Sequence, residues 1–241
     1  MLKSSAYADV EAPKKPQKKA VTISILIKLA EVLATRNPFQ RALFDLCVVA
    51  FWGMARLVEL TYNDDSGPLR AQASLLTTDV EKGSEDRTEV IRLIIQGAKT
   101  AGPGEEQTIL LRALPHMLCP VLAVNQRLSE AERYGKMEED CDNSLFGFTE
   151  PGSRHQHITR TMAACALDKI WEACGFVGVL GHSFRVGGAS IQRALGMPVE
   201  KICQRGRWTS DSYKLYLRSF TDSKVESTFT LINQLEEAWM A

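Results

Sequence analysis

The hydrophobic period of this chain changes twice along its length, and this constrains its fold more than any other feature. Over Thr22–Thr35 the apolar residues Ile23, Ile25, Leu26, Leu29, Ala30 and Leu33 recur at helical spacing. Pro38–Gly53, rich in Leu, Phe, Val and Ala, predicts a second and buried helix, and a short third helix then carries Arg56 and Glu59. The period next becomes that of strands, over Ala73–Val80, Glu89–Gln96 and Gln107–Ala113. "EVIRLIIQ" and "QTILLRA" are joined by the turn-rich "GAKTAGPGEE", so Lys99 falls on a β-hairpin. After Pro115 the helical period returns, over Val121–Arg133, Thr159–Cys174, Ser183–Leu195, Val199–Arg205, Ser210–Arg218 and Lys224–Met240. Gly196 ends one of these helices and Pro198 opens the next. In the last, Val225, Phe229, Ile232, Leu235 and Trp239 share a face. The expected fold is mainly α with a small three-stranded antiparallel sheet, an α+β arrangement.

The length of 241 residues suits one sizeable domain and a tail. Residues 1–20 are polar and carry Pro13, Lys14, Lys15, Pro16, Lys18 and Lys19, which predicts a disordered basic linker before a domain over 21–241. That cluster suits phosphate contact, a nuclear address or a plain solvated linker. The longest apolar stretch, Phe44–Ala55, is interrupted by Asp45 and is too short to span a bilayer, and no secretory signal is visible. No membrane or small-molecule partner is expected. The six cysteines form no CxxC pair and have no histidine at zinc-ligand spacing, so they read as small buried hydrophobes in a reducing compartment, with no metal. His155 and His157 read as loop residues and His116 as a surface or strand-end residue. The net charge of zero argues mildly against nucleic acid, but its distribution does not. Between His182 and Arg218 seven cations face only Glu200 and Asp211, whereas Gln126–Glu150 is acidic. A neutral total therefore hides a basic face and an acidic surface loop.

The chemistry concentrates in "LGHSFRVGGASIQRALGMPVEKICQRGRWTSDSYKLYLR". His182 and Arg185, three apart, share a face at a helix start; Trp208 follows in "GRW", and Tyr216 lies eight residues further in "YLR". Upstream stand Ala55-Arg56-Leu57-Val58-Glu59 and Lys99 in "GAKT". This ordered set resembles the tyrosine recombinases, or phage-integrase family. The likeness is greatest to the eukaryotic mobile-element branch of Crypton and DIRS-type enzymes, and it covers residues 21–241. It implies a DNA breaking and rejoining catalytic fold, a site-specific recombinase or integrase, double-stranded DNA as partner, a tetramer on DNA, a nuclear location and no cofactor.

The resemblance also implies roles. Tyr216 attacks phosphorus and forms a 3′-phosphotyrosyl link that a 5′-hydroxyl can reverse without ATP. Arg56 and Arg185 grip the nonbridging oxygens. Lys99 protonates the leaving 5′-oxygen, His182 assists proton transfer, Trp208 packs and donates through its indole N–H, and Glu59 supports the site. Lys201, Arg205, Arg207 and Arg218 read as phosphate contacts or surface charges. Each residue has a plainer reading: Arg56 and Glu59 as a structural ion pair, Lys99 as a solvated turn residue, His182 as a capped helix start, Trp208 as core. Tyr213 is the competing nucleophile. In this family the C-terminal segment, here about 224–240, commonly docks on a neighbouring protomer. Members usually carry an N-terminal DNA-clamping domain, so this chain alone should bind DNA weakly. A type IB topoisomerase and a domesticated, non-cleaving DNA-binding or protein-interaction module are the alternatives.

Overall fold

The computed structural model describes residues 19–96, 107–135 and 143–240. Helix α1 (Ile23–Leu33) starts where Thr22 accepts the Ile25 N–H, and α2 (Pro38–Trp52) where Asn37 accepts that of Gln40, with Pro38 preset for the first turn. Ala42–Phe51 is buried without a break, because α1 lies on one side of α2 and helices α4 (Pro120–Gly135) and α6 (Ser183–Ala194) on others. A helix apolar on every face has to be central. Between α2 and α4 the chain forms a one-turn helix α3 (Leu57–Leu60) and the sheet. Helix α5 (Arg160–Ala173), capped by Thr159, precedes α6; α7 (Val199–Gly206) and α8 (Asp222–Met240) follow it. Gly187 and Gly188 let α6 sit against the chain at Val21 and the end of α2, since a Cβ at either would overlap the carbonyl of Val21 or Phe51.

The sheet is antiparallel in the order β1 (Val80–Glu85), β2 (Thr88–Ile95), β3 (Gln107–Arg112). Asp86 and Arg87, both left-handed at φ 49° and 63°, make the two-residue turn whose twist suits a hairpin. Ile91, Leu93, Ile95, Ile109 and Leu111 are buried, and the last turn of α2 packs on Ile109 and Leu111 through Gly53. A short hairpin, β4 (Gly147–Phe148) with β5 (Gln156–His157), lies beside α2 and α4. The mainly helical architecture with a small three-stranded antiparallel sheet is as the hydrophobic periods indicate; the β4–β5 hairpin is an addition to it.

Several expectations need correction. The first strand is not at Ala73–Val80. The Asp79 carboxylate accepts the Leu76 N–H at 2.8 Å and closes a 3₁₀ turn over Thr77–Asp79, so the strand begins where the expected one ends. Residues 144–149 are not an acidic surface loop: Ser144, Leu145, Phe146, Phe148 and Thr149 are buried. His157 is buried there too, and His116 lies buried against Trp52, its Nδ1 accepting the Leu118 N–H. Of the cysteines, Cys47 and Cys119 are buried, Cys174 and Cys203 are partly exposed, and Cys165 is exposed; Cys141 lies outside the described residues. Ser210–Arg218 holds a 3₁₀ turn, Asp211–Leu215, rather than an α-helix. Helix α8 contacts α1, and its Leu231, Ile232 and Leu235 pack against the core while Phe229 is 40% and Trp239 53% exposed. Among the described residues no helix is long and apolar enough to cross a membrane.

Candidate active site

Arg56 enters through a reversal of the chain. Helix α2 ends at Gly53, Met54 takes a left-handed φ of 47°, and Arg56 becomes the extended residue that caps α3. It therefore precedes the short helix it was expected to lie on. Glu59, in the first turn, reaches back: one carboxylate oxygen accepts the Arg56 backbone N–H at 2.9 Å, the other its guanidinium at 2.8 Å. From the far side Arg207 donates to Glu59 at 2.5 Å. Burial would raise the Glu59 carboxyl, but Arg207 foremost, with the Arg56 N–H and the Arg185 and Arg56 charges, holds it below its ordinary value. Arg207 was expected as a surface charge or phosphate contact. Its side chain is only 6% exposed, because the left-handed turn after α7 (φ 57°) folds it inward to Glu59.

Arg185, on the first turn of α6, is wholly buried. One terminal nitrogen donates to the Met54 carbonyl at 2.6 Å and the other to that of Gly206. Its Nε is without an acceptor among the described residues. The Trp208 ring centre is 4.3 Å and the Tyr216 ring centre 5.4 Å from the guanidinium carbon. The two rings pack at 5.2 Å. Burial, then the Arg207 and Arg56 charges, lowers the Arg185 pKa to about 10. Tyr216 ends the 3₁₀ turn, its N–H on the Tyr213 carbonyl. Tyr213 contacts Lys214 at 5.9 Å, so only Tyr216 of the two rings joins the arginine stack.

His182 is the exposed residue capping α6, and Gly181 before it packs on Leu57 of α3, which brings the His182 turn beside the Arg56 helix. Lys99 lies outside the described residues. Arg56 and Glu59 line a cavity of about 280 Å³. Arg207 and Trp208 line a groove of about 710 Å³ between β3 and α7, together with Arg112, Lys201 and Arg205. The Arg207–Glu59 pair thus stands between the two. Arg218 turns back instead, donating to the Leu215 and Leu217 carbonyls and holding the segment that carries Tyr216.

Three supporting residues escape sequence reasoning. Ser190, buried on α6, donates to the Val186 carbonyl at 2.7 Å, lies 3.3 Å from the Tyr216 carbonyl and accepts the Arg218 N–H at 3.0 Å. Met54 and Gly206 supply the carbonyls that hold Arg185, and a Cβ on Gly206 would overlap the Trp208 ring. Only the "GRW" glycine carries a visible signal of this, a residue that must be small beside an indole.

No protein-family model and no curated protein matches the chain. Solved structures do. The Tn1549 transposon integrase in complex with circular intermediate DNA superposes with a TM-score of 0.54 at 12% identity, over 92% of this chain and 68% of that one. XerH site-specific recombinase bound to palindromic difH substrate gives 0.53 at 13%, over 90% and 54%. XerA recombinase gives 0.51 at 16%, over 92% and 67%. This chain thus spans little more than half of XerH and about two thirds of the other two. Its fold is that of the tyrosine recombinase catalytic domain.

Proposed function

We propose that this chain is a site-specific DNA recombinase that cuts and rejoins DNA through Tyr216. The observation that carries the reading is the stack of Tyr216, Trp208 and Arg185, tied through Arg207 and Glu59 to Arg56. These residues come from two stretches of the sequence, 56–59 and 185–216, and bring together a phenol, guanidiniums and an indole. Such a set suits in-line displacement at a phosphodiester. The Tyr216 oxygen bonds to phosphorus, the bond from phosphorus to the 5′-oxygen breaks, and Lys99 supplies the proton that oxygen takes. His182 receives the phenol proton, and Arg56 and Arg185 offset the charge on the nonbridging oxygens. The phosphotyrosyl link conserves the bond energy, so a 5′-hydroxyl from another strand completes transfer with neither metal nor ATP.

The finer reading is a mobile-element enzyme of the Crypton or DIRS type, acting as a tetramer on double-stranded DNA in the nucleus. It is supported by the "HSFRVGG", "GRW" and "YLR" text; the neighbours, named an integrase and a site-specific recombinase, support the coarser reading of recombination. The test is adduct trapping. The chain is incubated, with chelator and without ATP, with nicked duplexes of randomised sequence. An SDS-resistant protein–DNA adduct with a free 5′-hydroxyl end is expected, and the DNA recovered from it gives the site. DNA retained without any adduct would instead mark a non-cleaving binding module.

A further inference from the structure

We propose that Arg207 is a third phosphate-binding guanidinium of this site, one that meets the charge gained at phosphorus as the transition state forms. The inference rests on the strand-transfer reading above. Arg207 takes the left-handed turn, φ 57°, that ends α7, whereas Lys201 on the same helix is exposed. The Arg207 side chain is only 6% exposed, yet among the described residues only one of its three nitrogens is bonded. Nε and Nη1 are buried and have no acceptor among the described residues, and neither has Arg185 Nε or the Trp208 indole N–H beside them. A buried donor left unmade is costly, so such groups are normally partnered. Arg207 and Trp208 are neighbours in sequence and Arg185 stacks 4.3 Å from the Trp208 ring centre, so these unmet donors fall on adjoining side chains, as an anion site requires.

The charge count leads to the same place. Arg56, Arg185 and Arg207 share one carboxylate, Glu59, which leaves two positive charges in excess within a mostly buried cluster. A purely structural pair would balance one to one. A phosphodiester brings one negative charge, and attack by the tyrosine oxygen generates a second on the nonbridging oxygens. The excess matches the transition state better than the ground state, so the interaction serves rate more than DNA affinity. Since two Arg185 nitrogens are held by the Met54 and Gly206 carbonyls, Arg207 supplies donors that Arg185 does not.

The test compares adduct formation on the duplex recovered above with the same duplex carrying a neutral methylphosphonate at the scissile position. Arg207→Gln and Arg207→Lys run beside the unaltered chain. Arg207→Gln should slow cleavage of the phosphate duplex by about 10²–10³, with DNA binding changed no more than about threefold. The ratio of phosphate to methylphosphonate rates should fall at least about tenfold, because the missing charge no longer has a charge to meet. Both rates come from one preparation, so partial unfolding cancels in the ratio. Arg207→Lys should restore most of the ratio. An unchanged ratio in Arg207→Gln, or loss of both reactions in both variants, makes Arg207 a structural partner of Glu59 and overturns the assignment. If the unaltered chain forms no adduct, the strand-transfer reading fails and takes this inference with it; normal cleavage by Arg207→Gln removes the inference alone.

Discussion

Replacing Arg185 by lysine keeps the charge and most of the stem but removes the fork, so it separates what the guanidinium holds from what its charge does. In the native site two nitrogens bridge the Met54 and Gly206 carbonyls, and the plane stacks 4.3 Å from the Trp208 ring centre. A lysine can serve one carbonyl. Losing the other bond, made by a charged donor in a wholly buried site, costs about 1.5–3 kcal/mol. Losing the stacking on indole in a dry site costs about 1–2 kcal/mol more. The sum, roughly 2.5–5 kcal/mol, is a large share of a typical domain's 5–15 kcal/mol. With a urea slope of about 2–3 kcal/mol per molar, the unfolding midpoint should fall by about 1–2 M. Adduct formation should fall as well, because Met54 leads into the Arg56 turn and Gly206 into Arg207 and Trp208. A midpoint within about 0.3 M of the unaltered chain would show that the bridge does not hold these two turns together.

Other expectations follow from the same contacts. Gly188→Ala puts a methyl onto the Phe51 carbonyl, so α6 must move off α2. A cost of about 3 kcal/mol, or roughly 6–12 °C in Tm, is expected, and a shift under about 2 °C would contradict the close approach. Glu59→Gln removes the one carboxylate that Arg56 and Arg207 share. It should cost about 3–5 kcal/mol in urea and also slow adduct formation, and native stability would show the pair to be incidental. The His157 Nε2–H donates to the Gly67 carbonyl, Ser144 to His157 Nδ1, His155 Nε2–H to Ser144 and Thr149 to His155 Nδ1. Burial first, then the neighbouring His157, holds the His155 pKa down at about 4, below its ordinary 6.5. A depressed folded value means that stability is complete above pH 6.5 and is lost as pH falls toward 4. The loss is about 1–3 kcal/mol once partial exposure is allowed for. It should be measurable by urea titration at stepped pH and largely absent in His155→Asn; an equal pH slope in that variant would place the titration elsewhere.

The helices were legible because most carry their own period and often their own start signs, as Asn37-Pro38 does for α2 and Pro198 for α7. Strands β2 and β3 were legible for a similar reason: alternate aliphatic residues face the core. Strand β1 was not, because it is an edge strand reading "VEKGSE", while Leu75 and Leu76, adjacent and both buried, mimic a strand ahead of it. The buried run from Ser144 was hidden by the acidic text that precedes it. In the site, Tyr216, Trp208 and Arg185 stand close in sequence and meet in space. What could not be read was partnership over distance. Arg207 read as a phosphate contact or a surface charge, and its pairing with Glu59 stayed hidden because that carboxylate lies 148 residues away. Nothing near Arg185 in sequence shows the two backbone carbonyls, of Met54 and Gly206, that its terminal nitrogens hold.

The central claim is that Tyr216, and not Tyr213, makes the covalent bond to DNA. Adduct trapping on the randomised nicked duplexes with Tyr216→Phe and Tyr213→Phe, followed by mass spectrometry of the nuclease-digested adduct, tests it most directly. The expected result is no adduct from Tyr216→Phe, undiminished adduct from Tyr213→Phe, and the nucleotide remnant on the peptide containing Tyr216. An adduct that survives Tyr216→Phe, or a remnant on any other residue, contradicts the account.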